Sequence, residues 1–267
     1  MKMIVIKAGG ALLQDETLER IVADVAEYSK KESVVFVHGG GAEVTETCKK
    51  MGIEPKFVVS ASGMRSRVTD WETMQVYLMT MGRLNKIVVS KFLSKGVNAI
   101  GLTGIDGALA SASRKEKILV KREDSRRVLM DGGFTGKIDR VNADLLKMLL
   151  DNGFLPVLAP IAVGKSFEPL NVDSDAFAAK IASALGSKLL YLTNVDGLLI
   201  EGKLVESLTM AEASVLLPSI GHGMMRKVQS SVEALQEGAP SVRISSGLID
   251  KPVSNALEKG LGTLIVK

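Results

Sequence analysis

The stretch MIVIKAGG, residues 3–10, decides how the rest of the chain is read. Four apolar residues, three of them β-branched, run into a lysine, an alanine and two glycines. A short run that is apolar on both faces suits a strand in a parallel sheet covered by helices. In such sheets ligands bind beyond the carboxyl ends of the strands, and glycines there let backbone N–H groups approach an anion. The pattern repeats at residues 34–38, which run into Gly39-Gly40-Gly41. Tight turns made for packing would explain either turn alone. Two of them, each leading into a helix and joined by Lys7, point instead to a phosphate passing between two binding positions.

Outward from these turns the same rhythm continues. Further strands are expected at 98–102, 156–160, 188–193, 242–246 and 263–266. Leu18, Ile21, Val22 and Val25 recur at helical spacing after Asp15. Helices are also expected at 42–51, 71–94, 143–151, 174–185 and 223–237, four of them with glycine stops at Gly52, Gly153, Gly186 and Gly238. Thr69-x-x-Glu72 and Thr209-x-x-Glu212 read as capping boxes, and Pro252 as a first-turn proline. The class is therefore α/β with a mainly parallel sheet. One segment breaks the rhythm: residues 113–137 alternate and are rich in Lys and Arg, and are expected to form a basic β-hairpin.

Bulk properties set limits. With 267 residues, 46% of them apolar, the chain can bury one large core or build two lobes. No apolar run is long enough to cross a membrane as a helix. The N-terminal run is too short for a signal peptide. Cys48 is the only cysteine, and a reducing cytoplasm is the expected compartment. A net charge of +4 is weak for nucleic-acid binding and suits anionic substrates or an acidic partner.

Several nucleotide motifs fail. HGGGAEV, from His38, lacks the third glycine of a dinucleotide fingerprint. APIAVGKS (159–166) and GGFTGK (132–137) come close to a P-loop but do not make one. Other clusters remain. Asn171-Val-Asp173-Ser-Asp175 opens an alanine-rich helix, where carboxylates complement the dipole and Asn171 can turn to a ligand. Residues 192–198 run from a strand into a polar turn. Arg226 and Lys227 follow Gly223 in a first helical turn, against the dipole unless they meet a phosphate. The two histidines, His38 and His222, read as structural.

Taken together, Lys7-Ala-Gly-Gly, His38-Gly-Gly-Gly, Arg67-Val-Thr-Asp, Asn171-Val-Asp-Ser-Asp, Leu192-Thr-Asn-Val-Asp-Gly and Gly223-Met-Met-Arg-Lys227 resemble the amino-acid kinases in order and spacing. Within them the chain is similar to the N-acetylglutamate kinase group, from Lys7 to its last residue. The resemblance implies a three-layer αβα sandwich, with residues 1–165 as the acceptor lobe and 166–267 as the ATP lobe. It implies transfer of the γ-phosphoryl of ATP to a side-chain carboxylate, giving an acyl phosphate. Lys7 and Lys227 would stabilise the transferring group and Asp175 would hold both. Gly9, Gly10 and Gly40 would supply N–H donors, and Gly40 and Gly41 would line the acceptor site. Arg67 and Asn171 would grip the acceptor α-carboxylate. Thr193, Asn194, Asp196, Gly197 and Gly223 would border ATP. Mg2+ would ride mainly on the ATP phosphates, and the 71–94 helix would form a homodimer. The chemistry agrees: phosphoryl transfer asks for positioning and cations, and a carboxylate acceptor needs no general base.

Three departures narrow the resemblance. GMRSRVTD (63–70) has an extra Arg65-Ser66, Arg226 stands beside Lys227, and Asp131-Gly-Gly-Phe-Thr-Gly-Lys137 ends the basic segment. These resemble the archaeal and Thermus-type kinases of lysine and arginine biosynthesis. Those phosphorylate α-aminoadipate or glutamate attached by the amino group to a small acidic carrier, LysW. From Arg114 to Arg127 seven basic residues face three acids, so a flap that steers such a carrier is expected, with Arg65, Arg122 and Arg126 as its contacts. A free N-acetylglutamate kinase is the alternative, and a nucleotide sensor without catalysis the third reading. One methylene separates aminoadipate from glutamate, worth only ~1–3 kcal/mol, so both stay open. No helix is evident before Met3, and no arginine feedback through such a helix is expected.

Overall fold

A computed structural model describes residues 2–59, 65–121 and 127–267. Arg122 and Arg126 lie outside the described residues, as does the side chain of Arg65. The first half runs β1 (Met3–Ala8), α1 (Asp15–Tyr28), β2 (Ser33–His38), α2 (Gly41–Lys50), β3 (Phe57–Val59), β4 (Arg65–Arg67), α3 (Trp71–Ser94) and β5 (Ala99–Thr103). There follow β6 (Ala110–Arg114), β7 (Lys117–Lys121), β8 (Arg127–Asp131), β9 (Gly136–Val141), α4 (Ala143–Asp151), β10 (Leu155–Ala159), β11 (Ile161–Val163) and β12 (Pro169–Asn171). The rest comprises α5 (Ser174–Leu185), β13 (Lys188–Thr193), β14 (Leu199–Ile200), β15 (Lys203–Leu204), β16 (Ser207–Thr209), α6 (Met210–Leu216), α7 (His222–Gln236), β17 (Val242–Ser246), α8 (Pro252–Glu258) and β18 (Thr263–Val266).

Eight strands form the main sheet in the order β16-β18-β17-β13-β1-β2-β10-β5, parallel throughout except for β17 against β18. All seven strands expected from the sequence belong to it. The eighth, β16, has three residues, too few for a pattern to show. β1 lies at the centre, between β13 and β2.

Strand alternation divides the core in two. Ile4 and Ile6 of β1 pack with Phe36, Val22 and Phe92, on the side of α1 and α3. Val5 packs with Val35, Val37, Phe177 and Ile181, on the side of α5. Lys7 shares the face of Val5 and so points towards α5. Phe36 and Phe92 meet edge to face at 5.3 Å, and each such buried aromatic stabilises by roughly 1.5–3 kcal/mol.

Two local expectations are corrected. Thr69 does not cap α3. Asp70 does, accepting from the Thr73 N–H at 2.9 Å. Thr69 is fully buried and its hydroxyl accepts from Asn171 Nδ2 at 3.0 Å, so it is committed elsewhere. The Thr209–Glu212 capping box is present as read. Residues 113–137 are not one hairpin. β6 and β9 pair antiparallel inside a second sheet, β12-β11-β6-β9, because Ala110, Ala112 and Ile138 have a core to pack against. Within this segment β7 and β8 form a two-stranded ladder of their own.

Candidate active site

Lys7 and Asp175 meet because β1 and α5 pack face to face. Lys7 is 3% exposed, and a buried ammonium needs a partner. Its Nζ lies 2.7 Å from Asp175 Oδ1. The other carboxylate oxygen of Asp175 accepts from Lys227 Nζ at 3.0 Å. Lys227 comes from the second turn of α7, still near the positive end of the helix, and Asp175 offsets its charge. Burial works to raise the Asp175 pKa, but the two ammonium groups override it and bring it down to about 2. Two lysines and one carboxylate leave a surplus positive charge in a dry place, suited to a polyanion.

Asp173 and Asp175 divide their work. Asp173 is the N-cap of α5, accepting from the Asp175 and Ala176 N–H groups. Its second oxygen lies 3.3 Å from Arg226 Nε. Residue type and spacing do not tell the two carboxylates apart; the family resemblance assigns the lysines to Asp175, and the structure places them there.

The two glycine turns touch. A Cβ on Gly10 would stand 3.0 Å from Gly40 N, and one on Gly39 would stand 2.9 Å from Gly10 N. Packing therefore accounts for Gly10 and Gly39. It does not account for Gly41, around which there is open space. Gly10 and Gly40 stand at the heads of a short 3-10 helix and of α2, where N–H groups have no carbonyl in their own helix. Gly9 is corrected as a donor: its N–H is already bonded to Leu192 O at 3.2 Å. His38 braces the second turn. Its Nδ1 lies 2.8 Å from Gly39 O and must carry the hydrogen, which leaves Nε2 to accept from Asn85 Nδ2 at 3.3 Å. Burial pushes this imidazole down to about 4, so it is neutral and structural.

A cavity of about 220 Å3 opens beside the turns, between Gly40–Gly41 and Asn171, with Arg67, Lys115 and Arg226 on its walls. Arg67 is held in place on three sides. Nη2 donates to Gly41 O and to Thr45 Oγ1, both at 2.7 Å, and the guanidinium lies 4.7 Å above the Phe57 ring. Asn171 is fixed by its bond to Thr69 and lines the same cavity. On the opposite side the turn after β13 carries Thr193, Asn194, Asp196 and Gly197. It is tied to the turn after β17 by Gly247 N–H donating to Thr193 O at 2.7 Å. Gly197 has a packing reason, since a Cβ there would lie 2.6 Å from Thr263 Oγ1. Gly223 has none, its surroundings being open.

Comparison with known proteins agrees with this geometry. The model of the "Amino acid kinase family" matches residues 2–246. The chain belongs to the amino acid kinase family. Among curated members it is 46% identical over 265 residues to a "Putative [LysW]-aminoadipate/[LysW]-glutamate kinase" of Nitrosopumilus maritimus, covering 98% of this chain and 99% of that one. It is 42% identical over 266 residues to a "[LysW]-aminoadipate/[LysW]-glutamate kinase" of Saccharolobus islandicus, covering 99% of both. Two solved structures share the fold. N-acetylglutamate synthase from Neisseria gonorrhoeae superposes with a TM-score of 0.82 at 24% identity, this chain spanning 59% of that one. Carbamate kinase from Giardia lamblia bound to AMP-PNP does so with 0.72 at 17%, over 100% of this chain and 98% of that one.

The amino acid kinase site also contains residues that the sequence did not single out. Tyr191 lies opposite Lys7 in the β1–β13 register and donates its hydroxyl hydrogen to Asp175 O at 2.8 Å. Thr45 and Asn85 hold Arg67 and His38. Lys115 had been counted only as part of a basic segment, yet it lines the central cavity. For Tyr191 the signal in the sequence is a tyrosine set within the apolar run of residues 188–193.

Proposed function

We propose that this chain transfers the γ-phosphoryl group of ATP to the side-chain carboxylate of glutamate or α-aminoadipate. The acceptor's amino group is held on a LysW-type acidic carrier, and the product is an acyl phosphate. Asp175 bridging Lys7 and Lys227, next to a cavity walled by Arg67 and Asn171, is the observation that carries this reading. The names of relatives 42–46% identical over nearly the whole chain give the acceptor and its carrier.

The chemistry follows from the placement. Lys7 and Lys227 meet the transferring phosphoryl and offset the charge that spreads over its oxygens. Asp175 aims both and takes no proton, its pKa being far below neutral. Gly10 and Gly40 offer backbone N–H groups to the β- and γ-phosphates. Arg67, a planar fork, and Asn171 hold the acceptor α-carboxylate. Gly41 leaves room for the acceptor. The γ- or δ-carboxylate is already a nucleophile, so transfer needs in-line placement and no base. Thr193, Asn194, Asp196, Gly197 and Gly223 border the nucleotide, residues 1–165 serving the acceptor and 166–267 the ATP. Each oxygen of Asp175 is turned to a lysine, so Mg2+ would be held mainly by the ATP phosphates. A homodimer across α3 belongs to the same reading, with Met79 and Leu93 half-exposed on that helix.

The test is direct. The purified chain is given ATP, Mg2+ and each acceptor, carrier-linked glutamate, carrier-linked aminoadipate and N-acetylglutamate, and hydroxylamine traps any acyl phosphate. Hydroxamate from a carrier-linked acceptor is the expected result. Hydroxamate from N-acetylglutamate alone would return the protein to the free-substrate kinases, and none from any acceptor would end the kinase reading.

A further inference from the structure

Lys115 has no part in that scheme. It sits in the bend between β6 and β7, half-buried, its N–H bonded to Thr135 O at 2.8 Å. Its ammonium forms no ion pair or hydrogen bond among the described residues. Burial first, and then Arg226, lower its proton affinity; Asp173 works the other way and Lys137 adds to the lowering. Asp173 is already shared between the α5 cap and Arg226. One carboxylate thus faces three cations, Lys115, Lys137 and Arg226. A half-buried lysine in that position is short of an anion.

A second observation says where the anion comes from. A cavity of about 230 Å3 lies behind the acceptor cavity, between β9 and the α5–α7 pair. Lys115, Arg226, Asp173, Gly136 and Val172 line both. Lys115 and Arg226 therefore stand where one space runs into the other. In the farther space Lys180 is paired with Glu237 and the Glu233 carboxylate accepts from Gln229, whereas at the threshold Lys115 and Arg226 have only Asp173 between them. An acceptor held as an amide on a larger body needs an exit for that body.

We propose that Lys115 and Arg226 bind a carboxylate carried by the acyl group on the acceptor's amino nitrogen, and that this acyl group leaves through the groove between β9 and the α5–α7 pair. The inference rests on the carboxylate-kinase reading and names what that site recognises beyond the amino acid. Arg67 and Asn171 hold one carboxylate, and Lys115 and Arg226, lining the same cavity, hold another. Two anchors fix an N-acylated amino acid at both ends, leaving the side-chain carboxylate to face the phosphoryl.

Two acceptors of equal length isolate the charge: N-succinylglutamate, whose acyl group ends in a carboxylate, and N-butyrylglutamate, whose acyl group ends in a methyl. Acyl phosphate is read as hydroxamate with the full chain. The wild type is expected to favour the succinyl compound in kcat/KM by roughly tenfold or more, the effect of one charge-assisted hydrogen bond. Lys115→Met removes most of that preference, Lys115→Arg keeps it, and the KM for ATP is the same in all three. Should Lys115→Met fail to fold in a thermal melt, Arg226→Lys is the second variant, with a reduced preference expected. An equal preference in wild type and variant, or a change confined to the KM for ATP, overturns the inference and leaves the kinase reading standing. A wild type that phosphorylates neither compound nor a carrier-linked acceptor removes both.

Discussion

Tyr191 donates its phenolic hydrogen to the backbone carbonyl of Asp175 at 2.8 Å, so the strand beside Lys7 also fixes the helix turn that carries its counter-ion. Strand, lysine and carboxylate are thereby locked into one unit. The contact is dry: Tyr191 is fully buried, and desolvation raises its pKa well above the ordinary value, so the hydroxyl stays a donor at every working pH.

Tyr191→Phe should therefore act on both stability and rate. The Asp175 carbonyl keeps its helical partner in α5, so losing the tyrosine bond costs about 0.5–1.5 kcal/mol. The α5 turn gains freedom, and kcat is expected to fall while the KM values for ATP and acceptor hold. Urea unfolding and steady-state kinetics check the two halves; a wild-type kcat would show that the bond does not position Asp175.

Lys227→Ala should lower kcat on the order of 10²–10³-fold, as expected when one preorganised cation at the transferring group is lost. Lys7→Ala should do the same and also destabilise, because Lys7 is the more deeply buried partner of Asp175. Breaking a buried ion pair costs about 3–5 kcal/mol. Full kcat in Lys227→Ala refutes its role.

Gly40 and Gly41 should part company on substitution. Gly40 has φ +154°, and a Cβ there would lie 2.6 Å from Leu84 Cδ1. Gly40→Ala should destabilise by about 1–3 kcal/mol from backbone strain, before the clash is counted. Gly41→Ala meets nothing within 4 Å, so its melting midpoint should match the wild type while the acceptor KM rises. Equal melting midpoints for all three proteins would refute this.

Acid should weaken the fold in two separate steps. The unfolded His38 takes up a proton near pH 6.5 and the buried one only near 4, so the unfolded state binds more protons between those values. Stability is then lost as pH falls through that window, by roughly 3 kcal/mol in all. Asp175 contributes the other step: its folded pKa of about 2 lies below the ordinary 3.8 of an aspartate, so its contribution is present above pH 4 and is lost on going lower. Urea unfolding at pH 7, 5.5 and 4.5 reads the first step. His38→Gln should flatten it, and an unchanged slope in that variant would assign the effect elsewhere.

Much of this was legible beforehand because it is local. The seven strands of the main sheet carry their own apolar runs, and the Lys7 side chain faces α5 because Val5 does. Glycines at the ends of β1 and β2 mark the ligand side. The Thr209–Glu212 box is closed within four residues and was read correctly.

What sequence did not decide were choices between neighbours. Thr69 and Asp70 are both good caps, and the bond from Asn171 takes Thr69 out of the competition. Asp173 and Asp175 are both carboxylates at the head of α5. Only the packing of α5 against β1 and α7 makes one a cap and the other the bridge between two lysines. Lys115 looked like one charge among seven until the β6–β9 sheet turned it inward, beside Arg226. Propensity and periodicity fix which elements form, since those energies are local. Which side chains meet across distant elements is fixed only when the elements dock, and in this protein those meetings are the site.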